Sequence, residues 1–209
     1  MHMNKSRIEA FSDGIFAIVM TLLVFEIKIP NLTGPATNEV VAGIFASLWP
    51  VVLLYMVSFL VLAVIWINHH FIFHAFAKDV DRQLNLLNMV YLMFVVLVPF
   101  TMQLTVSYSE AMLAVIFYGV NLFVIVFIST LMTRYIWQHK ELRQAGLSNR
   151  LMNQSQFRAR LSLIFYPLGI LSALVWIPAS FFFYTVPVIF NMVPGTLDFL
   201  ERHSPISFD

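Results

Sequence analysis

The feature that most constrains the fold is a set of long stretches that contain no lysine, arginine, aspartate or glutamate. Each is longer than the roughly 20 residues that a helix needs to cross a bilayer. These stretches are residues 40–77, 83–109, 111–133 and 161–197. Backbone inside lipid must satisfy its own hydrogen bonds, and the stretches lack the alternating pattern of a transmembrane barrel strand. The chain is therefore predicted to be an all-α integral membrane protein.

The composition agrees with a membrane protein and excludes several other classes. Hydrophobic residues make up 60% of the 209 residues and charged residues 11%, against about 45–50% and about 25% in soluble domains. The chain has no cysteine, which excludes disulfides, thiolate metal sites and thiol catalysis. A net charge of +1 without a basic stripe gives no indication of a nucleic-acid partner.

A single domain of six transmembrane helices, covering residues 1–209, is predicted. The expected helices cover about residues 8–29, 40–68, 84–104, 111–134, 160–176 and 179–195. The last two share one apolar stretch, with a turn near Trp176 and Pro178. A re-entrant hairpin is an alternative for this last pair.

The distribution of positive charge predicts the orientation in the membrane. Six spans place both termini on one side, and that side then collects eleven lysines and arginines, whereas the other side holds only Lys28. Cytoplasmic loops of membrane proteins carry such an excess of positive charge. Both termini are therefore expected to be cytoplasmic.

The first predicted helix has two different faces when successive residues are placed 100° apart. One face carries apolar side chains and one hydroxyl group: Phe11, Gly14, Ile18, Thr21, Leu22, Phe25 and Ile29. The opposite side carries Glu9, Asp13, Phe16 and Met20. Such an apolar stripe is more often used for helix packing than for lining a pore, although several copies around an axis would form a hydrophobic constriction. Spacing alone leaves both interpretations open.

Asp13 is the carboxylate that lies inside this helix, and a carboxylate in the membrane is costly unless it is paired. Polar groups are expected at the same depth on the second and third helices: Asn68, His69, His70 and Asn88. We expect these groups to form a buried network with Ser12 and Asp13 that fixes the first helix. A proton relay through Asp13 and His69 or His70 is the alternative.

The histidines also permit a metal site as a further alternative. His70 and His74 are four residues apart and fall on one helical face, which is a spacing that can hold a metal ion. Membrane di-iron enzymes need several such clusters, but His139 and His203 stand alone. The expectation is therefore no metal, no cofactor, no catalytic residue and no enzymatic activity.

Four residues at the start of the first helix form the pattern Arg-x-x-x-Phe-Ser-Asp: Arg7, Phe11, Ser12 and Asp13. The pattern resembles the signature of the transmembrane protein 175 family of potassium channels. The segment WINHHFIFHAF at residues 66–76, followed by Asn88 and Pro99, is similar to the second and third helices of that family. The resemblance covers essentially the whole chain and is typical of a prokaryotic member with a single repeat.

The resemblance implies a homotetramer in which helix one of each six-helix subunit lines a central pore. It implies a passive channel that selects potassium, leaks other monovalent cations and has no re-entrant filter loop. Potassium is then the permeant ion, the lipid bilayer is a partner, and the plasma membrane of a prokaryote is the location. A proton-coupled secondary transporter that uses Asp13 with His69 or His70 is the alternative.

The resemblance also implies roles for particular residues. Ile18 stands at the position of the narrow hydrophobic gate, and Thr21 stands at the position associated with selectivity. Leu22 and Phe25 continue the pore wall, where Phe25 replaces the aliphatic residue expected in the family. The motif residues and their network partners are implied to anchor the pore helix: Arg7, Phe11, Ser12, Asp13, Asn68, His69, His70 and Asn88.

Overall fold

The computed structural model describes residues 4–31 and 34–192, which form helices joined by short loops. The α-helices are α1 (Lys5–Leu22), α2 (Asn38–Phe71), α3 (Arg82–Val96), α4 (Val98–Ser107), α5 (Met112–Gln138), α6 (Asn149–Ser172) and α7 (Ile177–Met192). A 3-10 turn, Leu23–Glu26, follows α1, and a π-helical turn, Ile72–Phe76, follows α2. The prediction of an all-α protein is confirmed.

The first helix is shorter than the predicted range of 8–29. It begins at Lys5, where the side chain of Asn4 accepts a hydrogen bond from the Ser6 amide, and its regular α-helical part ends at Leu22. The chain then tightens, and the Ile27 amide donates to the Val24 carbonyl at 3.1 Å. This tighter turn satisfies carbonyls at the helix end before the chain reaches Pro30.

The second helix is longer than the predicted range of 40–68. Thr37 caps its start by accepting from the Val40 amide, and helical turns continue to Phe76. Phe73 and Phe76 are fully buried, and this burial keeps the segment packed against the other helices.

The third predicted helix, residues 84–104, is two helices in the structure. Asp81 caps the start of α3 by accepting from the Leu84 amide at 2.8 Å. The helix breaks at Leu97, and Pro99 lies in the first turn of α4. Proline has no amide hydrogen and its ring crowds the carbonyl four residues earlier, so it fits a helix start better than a helix interior.

The basic segment at residues 134–160, predicted as a loop, is largely helical. The fourth predicted helix, 111–134, continues as α5 to Gln138. The fifth begins at Asn149 instead of 160, because Ser148 caps α6 by accepting from the Leu151 amide. The sixth, α7, begins at Ile177, and its predicted end at 195 lies outside the described residues.

Four helical segments are long and apolar enough to cross a membrane, by length and composition alone. They are Lys5–Glu26, Asn38–Phe76, Arg82–Ser107 and Met112–Gln138. The remaining pair is different, because α6 carries arginines and α7 is apolar but only 16 residues long. These two helices pack on each other through pairs such as Phe165 and Phe183, whose ring centroids are 6.1 Å apart. Six spans in one domain remain a prediction for this pair.

The centre of the helical bundle lies along α5, which packs against α3, α4 and α6. Tyr118 of α5 is buried, and its hydroxyl lies 3.2 Å from the Ser58 hydroxyl of α2. Tyr184 of α7 donates its hydroxyl to the Val115 carbonyl at 3.1 Å. Buried phenols need such partners, and these two join α2 and α7 to α5.

Basic residues lie at one end of the bundle, where two side-chain hydrogen bonds join separate segments of the chain. The Lys5 ammonium donates to the Ala77 carbonyl at 2.8 Å, and the Tyr135 hydroxyl donates to Asp81 at 2.7 Å. Burial acts to raise the pKa of the Asp81 carboxyl. Hydrogen bonds from Tyr135 and the Leu84 amide outweigh this, and the pKa lies below its ordinary value. Asp81 is thus an ionised acceptor at neutral pH.

Candidate functional site

Helix α1 presents one buried face to the other helices of the chain. The face follows the helical repeat, with intervals of three or four residues. Its members are Ile8, Ser12, Phe16, Val19 and Leu23. Helices α2 and α3 both pack against α1, so this face decides how α1 is oriented in the subunit.

A buried chain of hydrogen bonds joins α1 to α3 and α2. The Ser12 hydroxyl donates to the Ile8 carbonyl at 2.9 Å and accepts from the Asn88 amide nitrogen at 3.1 Å. The Asn88 amide oxygen lies 2.7 Å from His69 Nε2. An amide oxygen only accepts, so His69 Nε2 carries a hydrogen and donates it. Ser12 and Asn88 are fully buried, and His69 is nearly so.

Aromatic rings surround this series of hydrogen bonds and pack against the His69 ring. The His69 ring lies 5.5 Å from the Phe16 ring, 4.8 Å from Phe73 and 5.3 Å from Tyr91, centroid to centroid. The Tyr91 hydroxyl donates to the Ile65 carbonyl at 3.2 Å. A buried polar network whose members are satisfied specifies one packing arrangement, so α1 is held at one rotation against α2 and α3.

Asp13 lies outside this network, and its predicted burial was wrong. It is exposed in the single subunit, and its Oδ1 accepts from the Trp66 indole nitrogen at 2.8 Å. Asp13 follows Ser12 in the helix and is therefore rotated by about 100°, away from Asn88. Trp66 is a site residue that the sequence pattern did not indicate. The available signal was that an indole N–H is a donor that needs an acceptor.

Asn68 and His70 also lie outside the predicted network. Both are exposed, because they flank the buried His69 on α2 and point elsewhere. The His70 ring stacks on His74 at 5.4 Å and lies 5.9 Å from the Trp66 ring. Within residues 4–31 and 34–192, no group of three or more potential ligands is placed to hold a metal ion.

The opposite face of α1 and of the turn after it is uncovered in the structure of this chain. Its apolar members are Phe11, Ile18, Leu22, Phe25 and Ile29, of which Ile18 is 60% exposed and Phe25 is 71% exposed. Gly14 has no neighbour within 4 Å of where a Cβ would stand. Arg7, the first motif residue, is exposed at the start of the helix. The structure therefore leaves uncovered the apolar face that the helical repeat predicts. Of the side predicted to lie opposite, Glu9, Asp13, Phe16 and Met20, only Phe16 is buried.

Thr21 is the hydroxyl residue of the uncovered face. Its Oγ1 lies 3.0 Å from the Ala17 carbonyl and 2.7 Å from the Ile18 carbonyl and donates into the helix. With its hydrogen used in this way, the hydroxyl oxygen keeps lone pairs that can accept from, or coordinate, a group outside the helix.

Comparison with known proteins places this arrangement in a family. A family model described as endosomal/lysosomal potassium channel TMEM175 matches residues 7–99, the part of the chain that carries Ser12, His69 and Asn88. A potassium channel of Chamaesiphon minutus is 36% identical over 159 residues, which are 74% of this chain and 72% of that protein. The chain belongs to the TMEM175 family.

Other relatives of the family cover different shares of the chain. A potassium channel of Streptomyces collinus is 44% identical over 110 residues, which are 51% of this chain and 50% of that protein. A potassium channel of a Chryseobacterium species is 29% identical over 197 residues, 92% of this chain and 94% of that protein.

A solved structure resembles the fold as a whole. It is the crystal structure of a lysosomal potassium-selective channel TMEM175 homologue from Chamaesiphon minutus. The TM-score is 0.70 at 29% sequence identity, and the match covers 90% of this chain and 95% of that one. The resemblance thus extends beyond the segment matched by the family model.

Loss of the Asn88 side chain should destabilise the packing of α1. Asn88→Ala leaves the buried His69 N–H without its acceptor, and an unpaired buried polar group costs about 1–3 kcal/mol. In detergent, the midpoint of thermal unfolding should fall by about 2–4 °C for each kcal/mol lost.

Asn85→Ala is the matched control, three residues earlier on α3. The Asn85 Oδ1 is buried without a hydrogen-bond partner, so its removal should leave the midpoint nearly unchanged or slightly raised. Equal losses in the two variants would show that the Ser12–Asn88–His69 chain does not stabilise the subunit.

Proposed function

We propose that the chain is one subunit of a passive potassium channel that also leaks other monovalent cations. Four copies assemble as a homotetramer, with α1 of each copy around a central axis. Each subunit is a single domain of six membrane spans, without a re-entrant filter loop. The support is the family membership, the named potassium channels among the relatives, and the likeness to a potassium-selective channel.

The observation that carries the proposal is the uncovered face of α1. Ile18, Leu22 and Phe25 remain exposed in one subunit, while the Ser12–Asn88–His69 chain holds the opposite face in place. A helix fixed on one side and uncovered on the other is suited to line an axis shared by several copies.

Ile18 is proposed as the hydrophobic gate, with Leu22 and Phe25 as further parts of the wall. Ile18 and Leu22 are one helical turn apart, about 6 Å along the axis. Rings of such side chains in a narrow pore exclude water, and a dewetted stretch blocks ions until it widens. The α1 side chains alone would then hold the channel closed.

Thr21 is proposed to give the pore its preference for potassium. A ring of hydroxyl oxygens can replace part of the water around a cation. The Thr21 hydroxyl donates its hydrogen to the Ala17 and Ile18 carbonyls, which leaves its oxygen as an acceptor. Its place within one turn of Ile18 puts this ring next to the proposed gate.

The four residues of the family motif are proposed to anchor the pore helix. Ser12 acts through Asn88 and His69, and Asp13 acts through the Trp66 indole of its own subunit. Arg7 and Phe11 are exposed at the start of α1 and are proposed to contact neighbouring subunits.

The proposed location is the plasma membrane of a prokaryote, with both termini in the cytoplasm. The Lys5–Ala77 hydrogen bond joins the start of α1 to the loop that carries Lys78 and leads to Arg82, the first residue of α3. Basic residues from separate parts of the chain thus meet at one end of the bundle, as the positive-inside rule requires of a cytoplasmic face.

The geometry does not favour the proton-coupled transporter. His69 is bonded to Asn88 and Asp13 to Trp66. Within the described ranges, no carboxylate–imidazole hydrogen bond links Asp13 to His69 or His70, so the relay has no direct link between these side chains. We therefore propose the channel and not the transporter, and the lack of enzymatic activity and of a cofactor stays a prediction.

Ile18→Asn should raise ion flux if Ile18 forms the gate. Purified protein in liposomes under a potassium gradient should pass potassium without a proton gradient, and faster than sodium. The variant replaces an apolar ring by one that water wets, so the potassium flux should rise several-fold.

Ile164→Asn is the matched control, because Ile164 on α6 is 59% exposed and lies on a different helix. Its flux should equal that of the unmodified chain. Flux that requires a proton gradient would contradict the channel, and an unchanged flux in Ile18→Asn would contradict the assignment of the gate.

Thr21→Val should reduce the preference for potassium over sodium. Valine keeps the shape of threonine and removes the hydroxyl oxygen, so the coordinating ring is lost while the pore width is kept. The ratio of potassium to sodium permeability should fall toward the ratio for free diffusion. This ratio is measured from reversal potentials in planar bilayers.

Thr185→Val in α7 is the control for Thr21→Val, since the Thr185 hydroxyl also donates to a helix carbonyl, that of Phe181, at 2.7 Å. It should leave the permeability ratio unchanged. The same ratio in Thr21→Val and in the unmodified chain would exclude Thr21 as the selectivity residue.

A further inference from the structure

The turn that follows α1 is held by a group of hydrogen bonds around Gln103 of α4. The Gln103 amide nitrogen donates to the Glu26 carboxylate. Its amide oxygen accepts from the Lys28 ammonium at 3.0 Å and from the Ser107 hydroxyl at 3.1 Å. Glu26 is the last residue of the 3-10 turn after α1, and Ser107 is the last residue of α4. We refer to this group of hydrogen bonds as the Gln103 contact.

An amide at position 103 suits both of its charged partners. A carboxylate only accepts hydrogen bonds and an ammonium only donates them, whereas an amide has one donating end and one accepting end. Gln103 can therefore bond to Glu26 and to Lys28 at the same time. The orientation of the amide follows from these two neighbours.

The helix that carries Gln103 is itself fixed in the bundle. Thr101 and Met102 of α4 are fully buried. The Thr105 hydroxyl lies 2.9 Å from the Thr101 carbonyl and 3.2 Å from the Ala114 carbonyl of α5. Because α4 also packs along α5, the Gln103 contact joins the turn after α1 to the central helix of the bundle.

The Gln103 contact lies far along the helix from the hydrogen bonds of Ser12. At 1.5 Å per residue, Ser12 and Glu26 are about 20 Å apart along the axis. Ile18 and Leu22 lie between them on the uncovered face. This face is therefore held on both sides by hydrogen bonds to amide side chains, from Asn88 near the start of α1 and from Gln103 after its end.

The two sets of hydrogen bonds differ in their exposure to water. Ser12 and Asn88 are fully buried, whereas Glu26 and Gln103 are partly exposed and Lys28 is exposed. Water competes for exposed hydrogen-bonding groups, and salt screens exposed charges. Segments held by exposed hydrogen bonds open more easily than segments held by buried ones. The turn after α1 is therefore easier to release than the start of the helix.

We infer that Gln103 is a positioning residue that holds the end of the pore helix in the closed arrangement. The inference rests on the proposed function, because it requires the uncovered face of α1 to line the ion path. Gln103 fixes Glu26 and with it the adjacent Phe25, which follows Leu22 in the proposed wall. Release of the Gln103 contact lets this end of α1 move while Ser12 stays anchored. The apolar ring then widens and admits water.

The test breaks the Gln103 contact and then restores it, in the full chain. Gln103→Glu removes the donor that Glu26 uses and puts a like charge beside it. Glu26→Gln/Gln103→Glu exchanges the two side chains, so the pair can form again with donor and acceptor reversed and with the net charge unchanged. Ser109→Glu is the matched control, because it adds a negative charge at an exposed position two residues beyond Ser107. Potassium flux in liposomes and the thermal unfolding midpoint in detergent are measured for each.

Gln103→Glu should raise the potassium flux several-fold and lower the unfolding midpoint. The exchange variant should return both values toward those of the unmodified chain, and Ser109→Glu should leave both unchanged. If Gln103→Glu does not fold, Gln103→Met should raise the flux in the same direction, since it keeps the length of the side chain and removes both ends of the amide.

Three results would overturn the inference. The first is a lower midpoint in Gln103→Glu with an unchanged flux, which would show that the contact only stabilises the fold. The second is a flux in the exchange variant as high as in Gln103→Glu, which would show that Glu26 is not the partner that matters. The third is an equal rise in Ser109→Glu, which would show that added negative charge attracts potassium.

The unmodified chain separates this inference from the proposed function. Absence of potassium flux through the unmodified chain would contradict the channel and the role of Gln103 together. Any of the three results above, obtained with an unmodified chain that conducts potassium, would contradict the role of Gln103 alone.

Discussion

The hydrogen-bonded chain from Ser12 through Asn88 to His69 is the interaction on which the rest of the structure depends. It joins three helices with two short hydrogen bonds between side chains in a region where water does not compete. If the buried face of α1 were only apolar, the rotation of the helix about its axis would be less well fixed, because apolar contacts have no preferred direction. The polar chain fixes α1 at one rotation, and this rotation determines which side chains remain uncovered.

The two faces of α1 therefore differ in what they contact. Phe16 and Val19 are buried against the subunit, while Ile18 and Leu22 are left without partners by the same rotation. An exposed apolar stripe on a membrane helix can face lipid. In the proposed tetramer it instead faces a shared axis, where a narrow apolar ring would control water and a hydroxyl ring would offer oxygen to a cation.

The uncovered face could be predicted from the sequence because a helix repeats every 3.6 residues and side chains follow that repeat. The buried face was predicted less well, since of Glu9, Asp13, Phe16 and Met20 only Phe16 is buried. Ser12 and Asn88 could be paired because two polar residues at the same depth in lipid need each other. The exposure of Asp13 could not be predicted, since its partner, the Trp66 indole, is an aromatic residue whose N–H is easily overlooked. Helix bounds were missed where a single cap decides them, as Ser148 does for α6.

The central claim is that the uncovered face of α1 lines the ion path, and cysteine accessibility tests it most directly. The chain has no cysteine, so a single introduced thiol is the only target for a charged thiol reagent added to an open channel. Current through Leu22→Cys should be blocked, and current through Val19→Cys, at a position 2% exposed on the anchored face, should not. Block at Val19→Cys with none at Leu22→Cys would contradict the account.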